Sequence, residues 1–452
     1  MSSTLARREF LKKVSQFAAL GSAGPLSLSL SALAQASSFT ANDYKAVVCV
    51  YLYGGNDYAN TVVPYDQTSY NLYSSLRPTI ALDRTTLANT VLTPSQALSG
   101  GVQFALEPNL APLMPFFTNN KMNVVLNVGT LIQPTTRAQY LANSVALPPR
   151  LFSHIDQQKF SQSLTNLETS GWGGRLEDLL MSANSSSTFS AVSAAGNSLY
   201  LSGNSVGQYQ VGTNGAVAIN GLNGSPFGSG AVASALKSII TTNQNQIMSD
   251  QITSVVNRSI SAQSLLSSTL GTTTPFGTLF PTGNSLSSQL QIVARMIKAN
   301  QTLGIKRQVF FVSLGGFDTH DHITTAHPQL MGLVGNALSA FLTAMDNLNL
   351  TQNVLTFTSS DFGRTLTSNG DGTDHGWGSH HFVFGGPITK SKFMGTPPAL
   401  ANNGPDDVGQ GRLVPTTAND QLASAIGSWL GASPTDLATA LPNSVNFSKI
   451  AL

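Results

Sequence analysis

The chain has 452 residues, of which 41% are hydrophobic and only 10% are charged, and its formal net charge is +2. This length is ample for a large buried core. The scarcity of lysine and arginine argues against a nucleic-acid partner, which requires a dense basic surface, and against a polybasic membrane-binding patch.

The N-terminus resembles an export signal. "ARREFLKK" places a pair of arginines at 7–8, a weakly apolar stretch follows over 17–33, and small residues surround Ala34. This pattern is typical of a twin-arginine signal over 1–36, and it predicts contact with the twin-arginine export machinery and a periplasmic or secreted mature protein. The alternative is a basic first helix of the mature fold. No later apolar run is long enough to span a bilayer, so we expect no transmembrane segment in the mature protein.

Short apolar segments rich in β-branched residues predict buried strands. They cover 46–53, 122–129, 308–314, 353–359 and 381–386. Amphipathic patterns lie among them and predict helices over 287–301, 327–348 and 419–431. The alternation predicts an α/β fold with a doubly wound, mostly parallel sheet, built from 37–180 and 283–452.

The stretch 181–282 has a different composition, rich in Ser, Asn, Thr and Gly with few charges. We expect an inserted cap of short strands and loops with a helix around 232–268; disorder is the alternative. Cys49, the single cysteine, lies in an apolar run. It excludes an internal disulfide, and we expect it to be a buried, inert side chain.

Polar side chains follow several predicted strands at their carboxyl ends, where the functional groups of parallel α/β sheets collect. They include Asp57, Asp318, His320, His322, Asp361, Arg364 and His375. Imidazole with carboxylate suits Zn, Mn or Fe, and carboxylates alone suit Mg or Ca, so we predict a divalent metal ion: Zn, Mn, Mg or Ca. Each Asp beside a Gly is also explained by a turn, and the histidines by a polar surface loop.

Ser153 and His154 precede a predicted helix in "PPRLFSHIDQQKF". Ser153 is either the N-cap of that helix or a nucleophile, because a helix N-terminus stabilises both an alkoxide and a bound anion. Arg150 nearby favours an anion further.

Many short motifs occur in an order that resembles one bacterial family. They are "GGNDYANTVVPYD", "LNVGTLIQPTT", "FSHIDQQ", "GWGGRLED", "GGFDTHDH", "SDFGRT", "DHGWGSHHFVFGGPI" and "GRLVPTTANDQ". Together they resemble the family called domain of unknown function 1501 over nearly the whole mature chain. That family is itself similar to the alkaline phosphatase and sulfatase superfamily. The resemblance implies an alkaline phosphatase-like fold and metal-dependent hydrolysis of phosphate or sulfate esters of a small molecule or glycan.

The resemblance also implies residue roles. The implied metal ligands are Asp57, Asp318, His320 or His322, Asp361 and His375. Ser153 stands where the superfamily has its nucleophile, with His154 and Arg364 expected to neutralise the ester oxygens. Phe362 stands where the superfamily has a histidine ligand.

Because Phe362 replaces the histidine ligand of the superfamily, two arrangements of the metal site are possible. His380, Asp374 or Arg364 compensates for the missing imidazole, or a single ion binds. The replacement also supports a second hypothesis, in which the chain is a catalytically silent binding protein of the envelope or secreted space that holds a glycan or a protein. A third hypothesis is an assembly or secretion factor for other exported proteins.

Overall fold

The computed structural model describes residues 39–166, 169–222, 224–243, 245–271 and 276–452. The predicted export signal over 1–36 lies outside these residues. Within the ranges that are described, no helix combines the length and apolarity needed to cross a membrane.

The strands and helices occupy the following bounds. The strands are β1 (Lys45–Leu52), β2 (Val62–Pro64), β3 (Phe104–Leu106), β4 (Met122–Gly129), β5 (Ala191–Ser193), β6 (Tyr209–Gly212), β7 (Gly215–Ala216), β8 (Arg307–Leu314), β9 (Val354–Ser360), β10 (Ser379–Gly385), β11 (Phe393–Met394) and β12 (Thr417–Ala418). The α-helices are α1 (Tyr58–Thr61), α2 (Gln67–Leu76), α3 (Met114–Thr118), α4 (Arg137–Leu141), α5 (His154–Ser163), α6 (Trp172–Leu180), α7 (Gly230–Thr241), α8 (Ile247–Leu270), α9 (Ser285–Lys298), α10 (Ile323–Asn347), α11 (Asn419–Leu430) and α12 (Pro434–Ala440).

The central sheet is mostly parallel, as the sequence predicts. Its order is β11-β4-β10-β9-β1-β8-β5-β6-β7, with β12 also paired to β4. Strand β1 runs parallel to both β8 and β9, and its last residue, Leu52, lies opposite Leu314 and Ser360. Strand β10 is antiparallel to β9 and β4. The carboxyl ends of β1, β8 and β9 therefore meet at one edge of the sheet, and β10 begins there.

Helices cover both faces of the sheet, which confirms the doubly wound arrangement. Val48 and Val50 of β1 pack in a core that includes residues of α9 and α10. Val47 and Cys49 point to the other face, in a core with residues of α6 and α11. Cys49 is free and buried, as expected, and burial raises the pKa of its thiol. The apolar residues that follow Lys45 in β1 thus match a strand that is covered on both sides.

The stretch 181–282 contributes to the sheet as well as to its surroundings. Strand β5 pairs in parallel with β8, and β6 pairs with β5. The helix expected around 232–268 is two helices, α7 and α8, which are separated between 241 and 247. Part of the stretch predicted as a cap therefore completes the edge of the central sheet.

A buried ion pair fastens the turn that follows β1. Asp57 caps α1, with Oδ1 accepting from the backbone N–H of Asn60 at 3.1 Å and Oδ2 paired with the Arg77 guanidinium. Neither side chain of the pair is exposed. Arg77 also donates to the carbonyls of Thr365 and Leu366 at 3.1 Å. Although burial raises the pKa of Asp57, the charge of Arg77 outweighs it and holds the pKa below its ordinary value.

Asp420 is a second buried carboxyl, but here the effect of burial on the pKa outweighs that of the neighbouring charge. It lies in the first turn of α11, both of its oxygens are buried, and neither has a hydrogen-bond partner among the residues described. Burial raises its pKa to about 8, although the charge of Arg175 opposes this. The Arg175 guanidinium is committed to the carbonyls of Ala440, Ser170 and Ser163. The folded chain therefore favours a protonated Asp420.

We expect Asp57→Asn to destabilise the fold by about 3–5 kcal/mol, because it leaves the Arg77 charge buried without a counter-charge. Denaturant unfolding measures the loss. Asp66→Asn is the matched control, because Asp66 also caps a helix but is partly exposed, and asparagine caps well. A variant that keeps its stability but loses bound metal would show that Asp57 is a metal ligand instead.

We expect Asp420→Asn to flatten the loss of stability at alkaline pH. An unfolded Asp ionises near pH 4, whereas folded Asp420 holds its proton to about pH 8. Stability from this group is therefore present below pH 4 and falls by about 1.4 kcal/mol per pH unit up to the folded pKa. The variant's free energy of unfolding relative to wild type should rise by up to about 4 kcal/mol between pH 5 and pH 8. An unchanged difference across that range would contradict the buried-proton interpretation.

Candidate metal centre

Oδ1 of Asp318 is the meeting point of a group of side chains at the carboxyl edge of the sheet. Nη1 of Arg364 donates to it at 2.7 Å, and Nε2 atoms of His320, His375 and His154 lie 3.1, 3.3 and 3.4 Å away. Asp318 and His320 follow β8, His375 precedes β10, and His154 begins α5. We call Asp318 and the three histidines the histidine cluster. Side chains from three separate segments therefore meet at this oxygen, together with Arg364, which follows β9.

Each imidazole of the histidine cluster is anchored through its other nitrogen. The Nδ1 partners are Asp361 Oδ2 for His154 at 2.7 Å, Asp374 Oδ1 for His320 at 3.1 Å, and the carbonyl of Phe152 for His375 at 2.7 Å. An oxygen acceptor at Nδ1 places a proton on that nitrogen and fixes the orientation of the ring, so that Nε2 of each imidazole faces Asp318. This is the arrangement that orients metal-binding histidines.

Unsatisfied buried atoms indicate that the histidine cluster is built for a further group. Nε2 of His154 and Oδ1 of Asp361 are buried, and neither has a hydrogen-bond partner in the described part of the chain. One donor atom each from His154, Asp318 and His375 lies within 4.8 Å of the others, and His320 contacts two of them. Buried polar atoms rarely lack partners. Three imidazole nitrogens with one carboxylate suit zinc or another transition ion better than Mg or Ca, which take oxygen ligands.

The charges of the site alter its pKa values in different directions. The hydrogen bond to Asp361 raises the pKa of His154, although burial opposes it. Burial lowers the pKa of His375. Burial raises the pKa of Asp318, but the hydrogen bond and charge of Arg364 outweigh it and keep this carboxyl ionised. An anionic Asp318 beside a neutral His375 is the state that a cation would find.

Asp361 orients His154 with help from two residues that the sequence did not bring to attention. Its Oδ2 also accepts from Nε2 of Gln158 at 2.8 Å and from the backbone N–H of Gly54 at 3.2 Å. Gln158 lies one helical turn after His154, so the two side chains share a face of α5. That four-residue spacing was the available signal. Gly54 has φ 117°, and a Cβ there would lie 2.3 Å from the Asp318 backbone nitrogen, so the close approach requires glycine.

Phe362 forms an apolar wall of the site. Its ring is buried, with its centroid 4.8 Å from that of His154 and 4.9 Å from that of His375. A Cβ on Gly55 would meet this ring at 2.6 Å, so the space behind it is filled. Phe362 thus supplies no ligand at the position where a histidine was expected, and it supports the two imidazoles by packing.

Arg364 is committed to the protein rather than open to a substrate. Its side chain is fully buried, and Nη1 donates to Asp318 and to the carbonyl of Gly54. Nε donates to Oγ1 of Thr373 at 3.2 Å, and Nη2 donates to the Thr373 carbonyl. This geometry assigns Arg364 to the positioning of Asp318, because no nitrogen is left to neutralise an ester oxygen as predicted.

Two of the residues predicted as metal ligands lie apart from the histidine cluster. Both oxygens of Asp57 are occupied, by Arg77 and by the backbone of Asn60. His322 is exposed, and its nearest acidic partner is Asp321 at 3.5 Å. By contrast, His154, which was predicted to neutralise ester oxygens, lies among the candidate ligands.

Ser153 occupies the N-cap position of α5, next to His154. Its hydroxyl does not cap the helix and instead donates to Oδ2 of Asp156 at 2.5 Å. The preceding carbonyl, from Phe152, holds His375. Ser153 therefore lies between Phe152, which anchors His375, and His154, a member of the histidine cluster, and the Asp156 carboxylate accepts the hydrogen bond of its hydroxyl.

Comparisons with solved structures find similar but distant chains. Ps i-CgsB, solved in complex with k-i-k-neocarrahexaose, shares 12% identity at a TM-score of 0.35, over 87% of this chain and 73% of that one. The lipoteichoic acid synthase LtaP from Listeria monocytogenes shares 8% identity at a TM-score of 0.34, over 92% and 81%. Scores this low carry no conclusion about activity. No curated protein matches the chain.

The family model gives a broader match. The model described as "Protein of unknown function (DUF1501)" covers residues 44–432. That range spans the whole of the central sheet from β1 to β12 and every residue of the histidine cluster. The chain therefore belongs to the DUF1501 family.

Proposed function

We propose that the chain is an exported, metal-dependent hydrolase of phosphate or sulfate esters. The observation that carries the proposal is the convergence of three anchored imidazoles on Oδ1 of Asp318. Packing alone does not account for His154, whose buried Nε2 faces Asp318 at 3.4 Å without making a hydrogen bond. The paired arginines at 7–8 support export by the twin-arginine route.

In this proposal the chain's own side chains hold and orient the reacting groups. His154, His320, His375 and Asp318 would hold the ion, and Arg364 keeps Asp318 ionised and aimed. A divalent ion bound there supplies Lewis-acid charge stabilisation worth several kcal/mol. Gln158 and Asp361 keep His154 in one tautomer. Phe362 excludes water from the back of the site.

Ser153 is the proposed nucleophile. Its hydroxyl already donates to Asp156, so the proton has an acceptor when the oxygen attacks phosphorus or sulfur. The N-terminus of α5, a helix of ten residues, stabilises negative charge that develops beside Ser153. The phosphorus–oxygen or sulfur–oxygen bond to the alcohol then breaks, the proton taken up by Asp156 passes to the departing oxygen, and water hydrolyses the seryl ester to restore the Ser153 hydroxyl.

A catalytically silent binding protein of the same fold is the second candidate. Phe362 favours it, because an apolar ring stands where a further imidazole ligand was expected and thereby limits the ligand set. Such a protein would keep the metal and lack turnover. Metal content and turnover therefore separate the two candidates.

We expect Asp361→Asn to weaken metal binding by about 10- to 100-fold, because His154 loses the carboxylate that fixes its Nδ1 proton. The measurement is a competitive titration with a coloured zinc chelator on the protein exported by its native route. His322→Ala is the matched control, because His322 is an exposed histidine outside the cluster, and its affinity should be unchanged. Equal affinities in the wild type and the Asp361 variant would remove this carboxylate from the site.

We expect Ser153→Ala to lower turnover of 4-nitrophenyl phosphate or 4-nitrophenyl sulfate at least about a thousandfold, with metal content unchanged. Ser144→Ala, on an exposed loop serine, is the control and should retain full activity. A Ser153 variant with wild-type turnover would rule Ser153 out of the mechanism. A metal-loaded wild type without turnover on either ester would support the binding-protein alternative.

A further inference from the structure

The proposed reaction needs a cation that faces the substrate, and the residues first considered for this role do not supply one. A phosphate or sulfate ester brings negative charge that must be neutralised where it binds. Arg364 is buried with its nitrogens on Asp318, Gly54 and Thr373. His154 is held between Asp361 and Asp318. The proposed ion supplies part of the neutralising charge, and a further basic residue beside the histidine cluster would bind the oxygens that the ion does not reach.

Arg412 has the geometry of a fixed anion receptor. Its Nε donates to the carbonyl of His375 at 3.0 Å, and its guanidinium carbon lies 4.7 Å from the centroid of the Phe152 ring. These two contacts bind one edge and one face of the guanidinium. They leave Nη1 and Nη2 with no hydrogen bond or ion pair to any residue in the described ranges. The side chain is half-buried. The two contacts fix the orientation of the guanidinium, and Nη1 and Nη2 remain accessible.

The position of Arg412 ties it to the metal centre. His375, whose carbonyl it holds, is a member of the histidine cluster, and the Phe152 carbonyl is the Nδ1 anchor of that same imidazole. Ser153, the proposed nucleophile, follows Phe152 directly. Arg150 is nearby in sequence, but its side chain is 81% exposed and is held only by a 4.0 Å ion pair with Asp156. Arg412 is the basic group at this side of the site that is both ordered and uncommitted.

We infer that Arg412 binds the anionic group of the substrate, through Nη1 and Nη2, next to the metal site. A guanidinium fork matches two oxygens of a phosphate or sulfate, which a lysine ammonium does not. Anchoring through Nε lowers the entropy lost on binding, because the fork is already oriented. The inference deepens the proposed function by naming the residue that selects anionic esters over neutral ones.

The test is calorimetric titration of inorganic phosphate and inorganic sulfate into the metal-loaded full chain. We expect Arg412→Gln to weaken phosphate or sulfate binding about tenfold or more. Arg412→Lys should give an intermediate loss, because it keeps the charge and loses the fork, and it decides the question if the Gln variant folds poorly. With 4-nitrophenyl phosphate, KM should rise more than kcat falls, since ground-state binding is what is lost.

Arg137→Gln is the matched control. Arg137 is also half-buried and also donates through Nε to a backbone carbonyl, that of Asp407 at 2.6 Å, and within the described residues it makes no hydrogen bond or ion pair with the histidine cluster. Its substitution should leave anion affinity unchanged. Equal affinity in wild type and Arg412→Gln, or a wild type that binds neither anion, would overturn the inference.

Metal content of the same samples separates this inference from the proposed function. If the natively exported protein contains no metal but binds phosphate, and Arg412→Gln abolishes that binding, the hydrolase proposal fails and the anion site is supported. If the metal-loaded protein and its Arg412→Gln variant hydrolyse the ester equally well, the anion site is ruled out and the hydrolase proposal is supported.

Discussion

The pairing of Arg364 with Oδ1 of Asp318 is the interaction on which the site depends. A guanidinium without solvent exposure is stable only when its charge and its donors are all matched, and here Asp318, Gly54 and Thr373 provide the partners. Asp318 is thereby held ionised at one orientation, in contact with the imidazole of His320 from its own loop and with those of His154 and His375 from two distant segments. Without that fixed charge the three rings would have no common centre.

The sheet explains why such distant residues meet. Parallel strands β1, β8 and β9 end in register, so the loops after them begin side by side. The turn after β1 donates from Gly54 to Asp361, which follows β9, and packs against the backbone of Asp318, which follows β8. The fold thus specifies the site through the alignment of strand ends, and helix α5 completes it from outside the sheet by supplying His154.

Strand positions could be predicted closely, because short runs rich in apolar and β-branched residues mark β1, β4, β8, β9 and β10. The antiparallel direction of β10 could not, since a strand buried on both faces has the same apolar pattern in either direction. The break between α7 and α8 lacks glycine and proline, so the sequence predicted one helix there. Asp318, His320 and His375 were predictable from their places beside strands.

The differences between the roles predicted for site residues and the contacts that they make all come from tertiary partners. Asp57 has the local surroundings of a strand-end ligand, but Arg77, twenty residues away, folds back onto it. Arg364 looked available until its buried acceptors were known. Arg412 lay inside a recognised motif without an assigned role, because its two anchors, His375 and Phe152, are distant in sequence. Sequence spacing reports such contacts only within one helix, as for His154 and Gln158.

Phe152 joins both halves of this site, and that has a thermodynamic consequence. Its carbonyl holds the His375 imidazole, its ring supports the Arg412 guanidinium, and its backbone adopts φ 72°, a conformation that non-glycine residues rarely occupy. One strained residue thus sets the positions of a cation ligand and an anion receptor together. Linkage then requires reciprocity: whatever factor an oxyanion adds to metal affinity by ordering this residue, the metal must add to oxyanion affinity.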